Sequence, residues 1–313
     1  MTERIAELNR RLSKDGIAYT NGESLASHTT LRVGGAAAVS ILPRTEGEAL
    51  SALAHVSSVG IPLFVIGGGS NLLAPDAGFL GAVLLTRSLS HIEVEREENG
   101  DATVTVGAGV LLSTLSRVAE REGLTGAEFL YGIPGTVGGA VVMNAGAYGG
   151  EIAEILVSSR YVDAANPSTI FERTLAEHSY GYRQSVYLCS PQEVVLSATI
   201  RLRAGDREVI SREMARLLAQ RREKQPLEYP SAGSFFKRPV GAFAGKLIED
   251  CGLKGYRIGG AEVSEKHAGF LVNRGGATEA DFRALAAYVR EVVLRETGYL
   301  LESEVRAMGG GAP

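Results

Sequence analysis

Two glycine-rich loops contain residues whose types and spacing suit the binding of a ligand. Residues 67–71 read GGGSN, and residues 132–150 read GIPGTVGGAVVMNAGAYGG, with seven glycines among nineteen residues. Glycine reaches positive φ without cost and has no Cβ, so such backbone turns sharply and lies close to a neighbour. Successive N–H groups in these turns form concavities that bind anions, phosphate above all. The loops suggest a cofactor cradle, although tight turns between strands would also explain them.

The motifs that the loops lack argue against two common classes of nucleotide-binding protein. Neither loop gives GxGxxG, the glycine pair 107–109 has Leu112 at the third position, and no GxxxxGK[ST] occurs. A dinucleotide-binding Rossmann enzyme and a P-loop ATPase are therefore disfavoured. Two long loops, about sixty residues apart, could hold a pyrophosphate from both sides, which favours a dinucleotide over a mononucleotide.

Three isolated polar side chains complete the candidates. Ser234 stands between a glycine and two phenylalanines, Glu304 alternates with Glu302 along a predicted strand, and Arg183 follows two tyrosines. Each has an ordinary explanation: a capping hydroxyl in a packed hairpin, a solvated strand face, and a surface arginine stacked on tyrosine. No residue here identifies catalysis by itself.

Composition limits the class of protein. The chain has 313 residues, which predicts two or three domains, and its net charge of −4 argues against a nucleic-acid or anionic-membrane partner. Cys189 and Cys251 form no CxxC pair and the five histidines form no HExxH pair, so neither a disulfide framework nor a metal site is expected. No run of 18 apolar residues or apolar leader occurs, and a cytoplasmic protein is the expectation.

The elements that must position these residues follow from periodicity and caps. An exposed amphipathic helix is predicted at 2–15, a strand–helix–strand unit at 39–66, a polar hairpin turn at 97–101 and a tail at 309–313. Residues 132–150 are expected to be neither helix nor core, and 301–307 a strand. The remaining predicted helices are 111–122, 209–224, 242–251 and 278–297, and the remaining predicted strands are 81–86, 92–96, 103–106, 155–163 and 193–203.

Taken together, the motifs are more specific than their parts. The chain closely resembles the UDP-N-acetylenolpyruvoylglucosamine reductase (MurB) family, in its shorter second type. The matching pieces occur in the family's order: 29–35 (TTLRVGG), 66–73 (IGGGSNLL), 132–150, 182–185 (YRQS), 231–239 (SAGSFFKRP), 244–255 (AGKLIEDCGLKG), 259–273 (GGAEVSEKHAGFLVN) and 302–306 (ESEVR). Arg238 stands where Asn is common in the family and Ser303 where Pro is frequent; neither removes a group that the chemistry needs.

The resemblance implies an α+β fold with a vanillyl-alcohol-oxidase-type FAD-binding region of two subdomains, followed by a third, α/β substrate-binding domain. The expected divisions are 1–86 with the N-terminal helix, 87–207 and 208–313. It implies bound FAD, with the loops supplying backbone donors to the pyrophosphate. The residues that it assigns to the cofactor are Gly67, Gly68, Gly69, Ser70, Asn71, Leu72, Gly132, Ile133, Pro134, Gly135, Thr136, Gly138, Gly139, Asn144, Gly146, Ala147, Tyr148 and Arg221.

The resemblance also implies a reaction. NADPH reduces the FAD and leaves, and the UDP-sugar substrate, UDP-N-acetylglucosamine enolpyruvate, takes its place. Arg183 and Glu304 would then bind the substrate carboxylate, and Ser234 would deliver a proton. Lys224, Lys237 and Lys246 are expected to bind the UDP diphosphate, with Lys224 the best of the three. A monomer without a metal, membrane or nucleic-acid partner is expected.

Three other hypotheses about the function remain open. An FAD-dependent oxidase of a sugar or alcohol would share the FAD region but not SAGSFFK or ESEVR. A non-catalytic FAD- or nucleotide-sugar-binding module is disfavoured by the presence of Arg183, Ser234 and Glu304. A NAD-binding Rossmann enzyme lacks its fingerprint.

Overall fold

The computed structural model describes residues 1–309. The predicted tail at 309–313 lies outside the described residues apart from Gly309. Within residues 1–309, no helix is long and apolar enough to cross a membrane, and no cluster of three or more His, Cys, Asp or Glu side chains could hold a metal ion.

Helices and strands are mixed along the whole described chain, as the predicted α+β class requires. The helices are α1 Thr2–Lys14, α2 Glu46–Val59, α3 Leu112–Arg121, α4 Val137–Met143, α5 Val186–Cys189, α6 Arg207–Lys224, α7 Ala244–Asp250 and α8 Glu279–Thr297. The strands are β1 Ala18–Asn21, β2 Ala37–Leu42, β3 Leu63–Ile66, β4 Leu72–Leu73, β5 Phe79–Leu85, β6 Ile92–Arg96, β7 Ala102–Gly107, β8 Leu124–Thr125, β9 Gly146–Ala147, β10 Gly150–Glu151, β11 Leu156–Asp163, β12 Ile170–Thr174, β13 Glu193–Ala204, β14 Ser231–Ser234, β15 Arg257–Ile258, β16 Ala261–Val263, β17 Phe270–Asn273 and β18 Arg306–Ala307.

The chain divides into two compact units. The first contains residues 1–21, 39–68 and 81–220, and the second contains residues 22–38, 69–80 and the described residues from 221 to 309. The division predicted from the sequence, at residues 86 and 207, has three parts and stays a prediction.

The first unit holds two large sheets and the two-stranded pair β9–β10. One has the strand order β1-β2-β5-β3, so β5 lies between the two strands of the predicted strand–helix–strand unit. The other has the order β12-β11-β13-β7-β6, with β8 added to β13. Helix α1 packs against α2 with Leu8 and Leu12 fully buried, so the predicted exposed helix is amphipathic with its apolar face inside the core.

The second unit is built on the sheet β14-β17-β16-β15, covered by α8. Phe282, Leu285 and Val289 of α8 are fully buried in its core, together with Leu31 and Leu73 from the early part of the chain. The short parallel pair β4–β18 belongs to the same unit. The segments 22–38 and 69–80 are therefore parts of this unit, although they precede most of its sequence by some 150 residues.

Most predicted elements are confirmed to within two residues at each end. Local caps explain the agreement: Gly60 ends α2 in the left-handed conformation, and Thr278 and Asp281 form a reciprocal capping box at the start of α8. Two predictions are wrong. Residues 137–143 are helical and contribute Val137 and Val141 to the core, and only Arg306–Ala307 of the predicted strand at 301–307 is a strand.

Candidate active site

The two glycine loops meet in the first unit. Gly67 and Gly68 directly follow β3, and a Cβ added to Gly67 would lie 2.6 Å from Thr136 Oγ1. A Cβ added to Gly68 would lie 2.8 Å from the Cα of Gly135. A side chain on Gly67 or Gly68 would overlap atoms of the second loop, so packing requires glycine at both positions.

Thr136, which lies at this contact, has a buried side-chain hydroxyl without a hydrogen-bond partner in the described chain. Its side chain is 1% exposed, and Oγ1 has no hydrogen-bond partner among residues 1–309. Thr136 begins α4, but its hydroxyl does not cap that helix. Because buried hydroxyls almost always have a partner, an unpartnered one beside a tight backbone cradle fits a ligand-binding position.

The start of helix α4 is held by the segment around Ala108 and Val110. Val137 N–H donates to the Val110 carbonyl and Gly138 N–H to the Ala108 carbonyl, both at 2.9 Å. A Cβ on Gly138 would lie 2.8 Å from the Cβ of Ala108. Tertiary hydrogen bonds and close packing thus offset the poor helix propensity of the glycines.

Asn144 ends α4 in the left-handed conformation, with φ of 45°. Its side chain is 1% exposed; Nδ2 donates to the Gly181 carbonyl at 3.1 Å, and Oδ1 accepts from the Ala153 N–H at 3.3 Å. Both ends of the amide therefore bond within the protein, and the contact of Asn144 with the cofactor stays a prediction.

Arg183 lies against the same loop. Its Nη1 donates to the Asn144 carbonyl at 3.4 Å and its Nη2 to the Gly146 carbonyl at 3.2 Å, and its Cζ lies 5.3 Å from the centre of the Tyr182 ring. The predicted stacking on tyrosine is therefore present. Arg183 is half-buried, so its guanidinium is more than a solvated surface charge.

Two neighbours of Arg183 have positions that no sequence motif indicated. Tyr180 Oη donates to the Val141 carbonyl at 2.9 Å, and Ser185 Oγ donates to the Val142 carbonyl at 2.6 Å. These hydroxyls attach both ends of the Arg183 segment to the last turn of α4. The YRQS motif identified the segment in the sequence. No local sequence pattern predicts that the hydroxyls of Tyr180 and Ser185 bond carbonyls some forty residues earlier.

A buried polar network lies behind this segment. His178 is fully buried and stacks on Tyr180 with ring centroids 5.0 Å apart; its Nε2 is 2.8 Å from Ser159 Oγ, which is 2.7 Å from Tyr187 Oη. Burial lowers the pKa of His178 and raises the pKa of Tyr187. The imidazole is therefore neutral near pH 7, and its two nitrogens bond Ser159 and the Thr174 carbonyl.

The rest of the first glycine loop is held in the second unit. A Cβ on Gly69 would lie 1.8 Å from the His28 carbonyl oxygen, and Thr30 N–H donates to the Gly69 carbonyl at 3.1 Å. Asn71 Nδ2 donates to the Glu304 carbonyl at 3.1 Å. Leu72 is buried in β4. The TTLRVGG motif thus supports the glycine loop, a role that its sequence did not indicate.

Ser234 and Glu304 are brought together in the second unit. Ser234 ends β14 and is exposed, whereas Phe235 beside it is fully buried and stacks on Phe282. The Glu304 N–H donates to the Phe235 carbonyl at 2.9 Å. Glu304 is half-buried and Glu302 exposed, so the two carboxylates do not share an environment as the predicted strand implied.

The predicted diphosphate-binding lysines also lie in the second unit. Lys224 is exposed at the end of α6. Lys237 Nζ is 3.3 Å from Glu302 Oε2, and Lys246 forms an ion pair with Asp250 that raises the pKa of the lysine. Arg221 is 6% exposed, and its Nη1 donates to Gln225 Oε1 at 3.3 Å.

The predicted site residues are therefore distributed over both units. The first unit brings Gly67, Gly68 and Arg183 together with the second glycine loop, whose predicted positions include the half-buried Gly132, Ile133, Gly146 and Ala147 and the exposed Pro134, Gly139 and Tyr148. The second unit contains Gly69, Ser70, Asn71, Leu72, Ser234 and Glu304, and also the four cationic residues described above.

Comparison with known families gives two matches. Residues 37–168 match the model of an FAD binding domain, and residues 225–308 match that of the UDP-N-acetylenolpyruvoylglucosamine reductase C-terminal domain.

Whole-chain comparisons agree with these matches. The chain is 42% identical over 309 residues to UDP-N-acetylenolpyruvoylglucosamine reductase of Caldanaerobacter subterraneus subsp. tengcongensis, covering 99% of both chains. It is 46% identical over 303 residues to the Streptococcus suis reductase, covering 96% of this chain and 97% of the relative. The crystal structure of the reductase (MurB) from Thermus caldophilus superposes with a TM-score of 0.75 at 34% identity, covering 93% of this chain and 98% of that one.

The residues present in the first unit fit an FAD pyrophosphate. The backbone-only contact of Gly68 with Gly135 leaves main-chain groups as the lining, and the buried Thr136 hydroxyl is a hydrogen-bonding group that needs a partner. The predicted α+β fold with an FAD-binding region is confirmed.

Proposed function

The chain belongs to the UDP-N-acetylenolpyruvoylglucosamine reductase family, and from this membership we propose that it reduces UDP-N-acetylglucosamine enolpyruvate to UDP-N-acetylmuramate. It does so with bound FAD and with NADPH as the hydride donor. The reaction supplies a precursor of peptidoglycan, and so supports cell-wall growth, cell shape and division. The protein works in the cytoplasm, as a monomer.

One observation carries this proposal furthest. The 2.9 Å hydrogen bond from the Glu304 N–H to the Phe235 carbonyl sets Glu304 beside the exposed Ser234. An acid that can bind a carboxylate and a hydroxyl that can deliver a proton are then available in one small region. This pair suits the addition of a hydride and a proton across a double bond conjugated to a carboxylate.

Gly67, Gly68 and Thr136, with the rest of 132–148, would hold the pyrophosphate of FAD. When bound, FAD supplies the redox chemistry, since it accepts hydride from NADPH and gives hydride to the terminal carbon of the enolpyruvyl group. NADPH and the UDP-sugar use the protein in turn, which accounts for the lack of a second nucleotide motif.

Arg183 and Glu304 act on the substrate carboxylate. After hydride addition, negative charge develops on the carbon next to the carboxylate and spreads into its oxygens. Arg183 stabilises that charge, because a guanidinium binds a carboxylate with two parallel N–H donors. Glu304 donates a further hydrogen bond when it carries or shares a proton. Each such donor contributes about 3–4 kcal/mol to the stabilisation of the transition state.

Ser234 delivers the proton. Its O–H bond breaks, the proton forms the new C–H bond at the carbon next to the carboxylate, and the serine oxygen regains a proton from water. A hydroxyl is a weak acid, but an enolate carbon is strongly basic, so a positioned serine suffices. The exposure of Ser234 allows this reprotonation from solvent.

The cationic side chains bind the remaining part of the substrate. We assign Lys224, Lys237 and Lys246 to the UDP diphosphate, with Lys224 the first choice because it is exposed in the basic end of α6. We place Arg221 next to the flavin. The three-part division at residues 86 and 207, with the last part binding substrate, completes the proposal.

The visible absorbance of the bound flavin tests the proposal in one experiment. The purified protein is expected to be yellow, to lose its flavin absorbance on anaerobic addition of NADPH, and to regain it on addition of UDP-N-acetylglucosamine enolpyruvate, with UDP-N-acetylmuramate as the product. A colourless protein that cannot be reconstituted with FAD contradicts the proposal. Oxygen consumption with a sugar or alcohol, and no reaction with the enolpyruvyl substrate, would instead identify an oxidase.

A further inference from the structure

Asn144 and the Arg183 turn hold each other through reciprocal hydrogen bonds. Asn144 Nδ2 donates to the Gly181 carbonyl at 3.1 Å, and Arg183 Nη1 donates to the Asn144 carbonyl at 3.4 Å. We propose that Asn144 is a positioning residue for Arg183, whose amide fixes the turn from which the guanidinium extends. The inference rests on the proposed function, because it takes Arg183 as the residue that binds the substrate carboxylate.

The turn around Arg183 needs such support. Gly181 and Gln184 exchange backbone hydrogen bonds at 3.2 and 3.1 Å, and Arg183 between them has φ of 53°. A left-handed conformation costs a residue with a long side chain about 1–3 kcal/mol and persists only where the surroundings impose it. The Asn144 amide supplies one such constraint, directly at the Gly181 carbonyl that closes the turn.

The orientation of the Asn144 amide is itself determined by the protein. Ala153 presents an N–H to Oδ1 at 3.3 Å on one side, and Gly181 presents a carbonyl to Nδ2 on the other. The side chain is 1% exposed, so water does not compete for these bonds. Asparagine also tolerates the left-handed φ of 45° at this position. A glycine would satisfy the backbone equally well but would lack the amide.

That difference separates the two reasons for having asparagine here. If only the left-handed backbone matters, Asn144→Gly should be harmless. If the amide positions Arg183, Asn144→Gly should slow reduction of the enolpyruvyl substrate by about 10- to 100-fold, because a displacement of about 1 Å at a reacting group costs up to this much. Flavin reduction by NADPH, which does not use the substrate carboxylate, should fall by a smaller factor.

The experiment uses FAD-loaded Asn144→Gly, Asn144→Ala, Arg183→Ala and the Asn144→Gly/Arg183→Ala double variant, with melting temperatures to verify folding. Binding is measured for UDP-N-acetylmuramate, which has the carboxylate, and for UDP-N-acetylglucosamine, which lacks it. We expect Asn144→Gly to reduce the wild-type preference for the carboxylated ligand by at least about fivefold. In the Arg183→Ala background the same change should alter the preference by less than about twofold, because residues that act through one another are not additive.

The outcomes separate this inference from the proposed function. A wild-type preference retained in Asn144→Gly but lost in Asn144→Ala assigns the asparagine to backbone conformation and overturns the positioning role. Additive effects in the double variant overturn it as well. Wild-type enzyme with neither a carboxylate preference nor turnover overturns the proposed function, and the inference falls with it.

Discussion

Gly68 and Gly135 lie so close together that a Cβ on Gly68 would stand 2.8 Å from the Cα of Gly135. The two residues come from separate glycine loops, 67 positions apart in the sequence. Since neither residue has a side chain, the contact is between main-chain atoms, and it defines the cradle to which we assign the FAD pyrophosphate. It also yields a direct test of that assignment.

Gly68→Ala should weaken FAD binding at least about tenfold. Overpacking by one methyl group costs about 1–3 kcal/mol, and 1.4 kcal/mol corresponds to a factor of ten. The measurement is titration of FAD into apoprotein, followed by flavin fluorescence. Gly47→Ala is the matched control, since Gly47 is exposed in α2 and its nearest neighbour to a Cβ is Thr45 Oγ1 at 3.8 Å. Equal FAD affinity in Gly68→Ala and Gly47→Ala would show that the contact between Gly68 and Gly135 does not form the FAD-binding cradle.

Ser234→Ala should leave a yellow protein whose flavin is still reduced by NADPH, because the proton is needed only after hydride reaches the substrate. Reoxidation by UDP-N-acetylglucosamine enolpyruvate should slow at least about a hundredfold, the usual contribution of a general acid. Stopped-flow absorbance separates the two half-reactions. Ser231→Ala, at the other end of β14, serves as the control. An equal loss in both half-reactions would show that Ser234 is not the proton donor.

Glu304→Ala should slow the same half-reaction by about 10²–10³-fold, because a donor to the developing charge is lost. Glu304→Gln, which keeps an N–H donor, should lose less. Glu302→Ala is the control: Glu302 is exposed and paired with Lys237, and such a surface pair contributes about 0–1 kcal/mol, so rates should stay within about fivefold. Single-turnover rates decide the point, and equal losses at 302 and 304 would contradict the assigned role.

Stability should fall as pH drops below about 6.5, the ordinary pKa of histidine, with His178 as one cause. Burial lowers the pKa of His178 in the folded state, so the unfolded chain takes up its proton at the higher pH. The contribution of His178 is therefore complete above about pH 6.5 and decreases as pH falls towards the folded-state pKa, below which it is constant.

Urea denaturation at pH 7.5 and 5.5 measures this dependence. His178→Gln should be less stable than the parent at pH 7.5 but should lose less stability on acidification. The pKa of His267 is also lowered by burial, so part of the acid sensitivity should persist in the variant. His91→Gln is the control, because His91 is exposed. A dependence on pH identical in parent and His178→Gln would contradict the assignment.

The sequence by itself determined the local elements and the family. Helix α8 was predictable because Thr278, Asp281 and Gly298 cap it and its apolar stripe repeats at helical spacing, all within twenty-one residues. The family followed from motifs whose order needs no coordinates. The α+β class and the bound cofactor came with that resemblance.

The tertiary structure decided what depends on residues far apart in the chain. The glycine stretch forms α4 because Val110 and Ala108 accept its first N–H groups. Residues 301–305 are not a strand, because their pairing is limited to one antiparallel bridge between Ser303 and Phe236, made by the Glu304 N–H to the Phe235 carbonyl and the Lys237 N–H to the Glu302 carbonyl. The hydrogen bond from the Asn144 amide to the Gly181 carbonyl likewise joins two segments 37 residues apart. In each case the hydrogen bonds and packing of a distant segment outweigh local propensities of about 1 kcal/mol per residue or less, which are all that a sequence pattern reports.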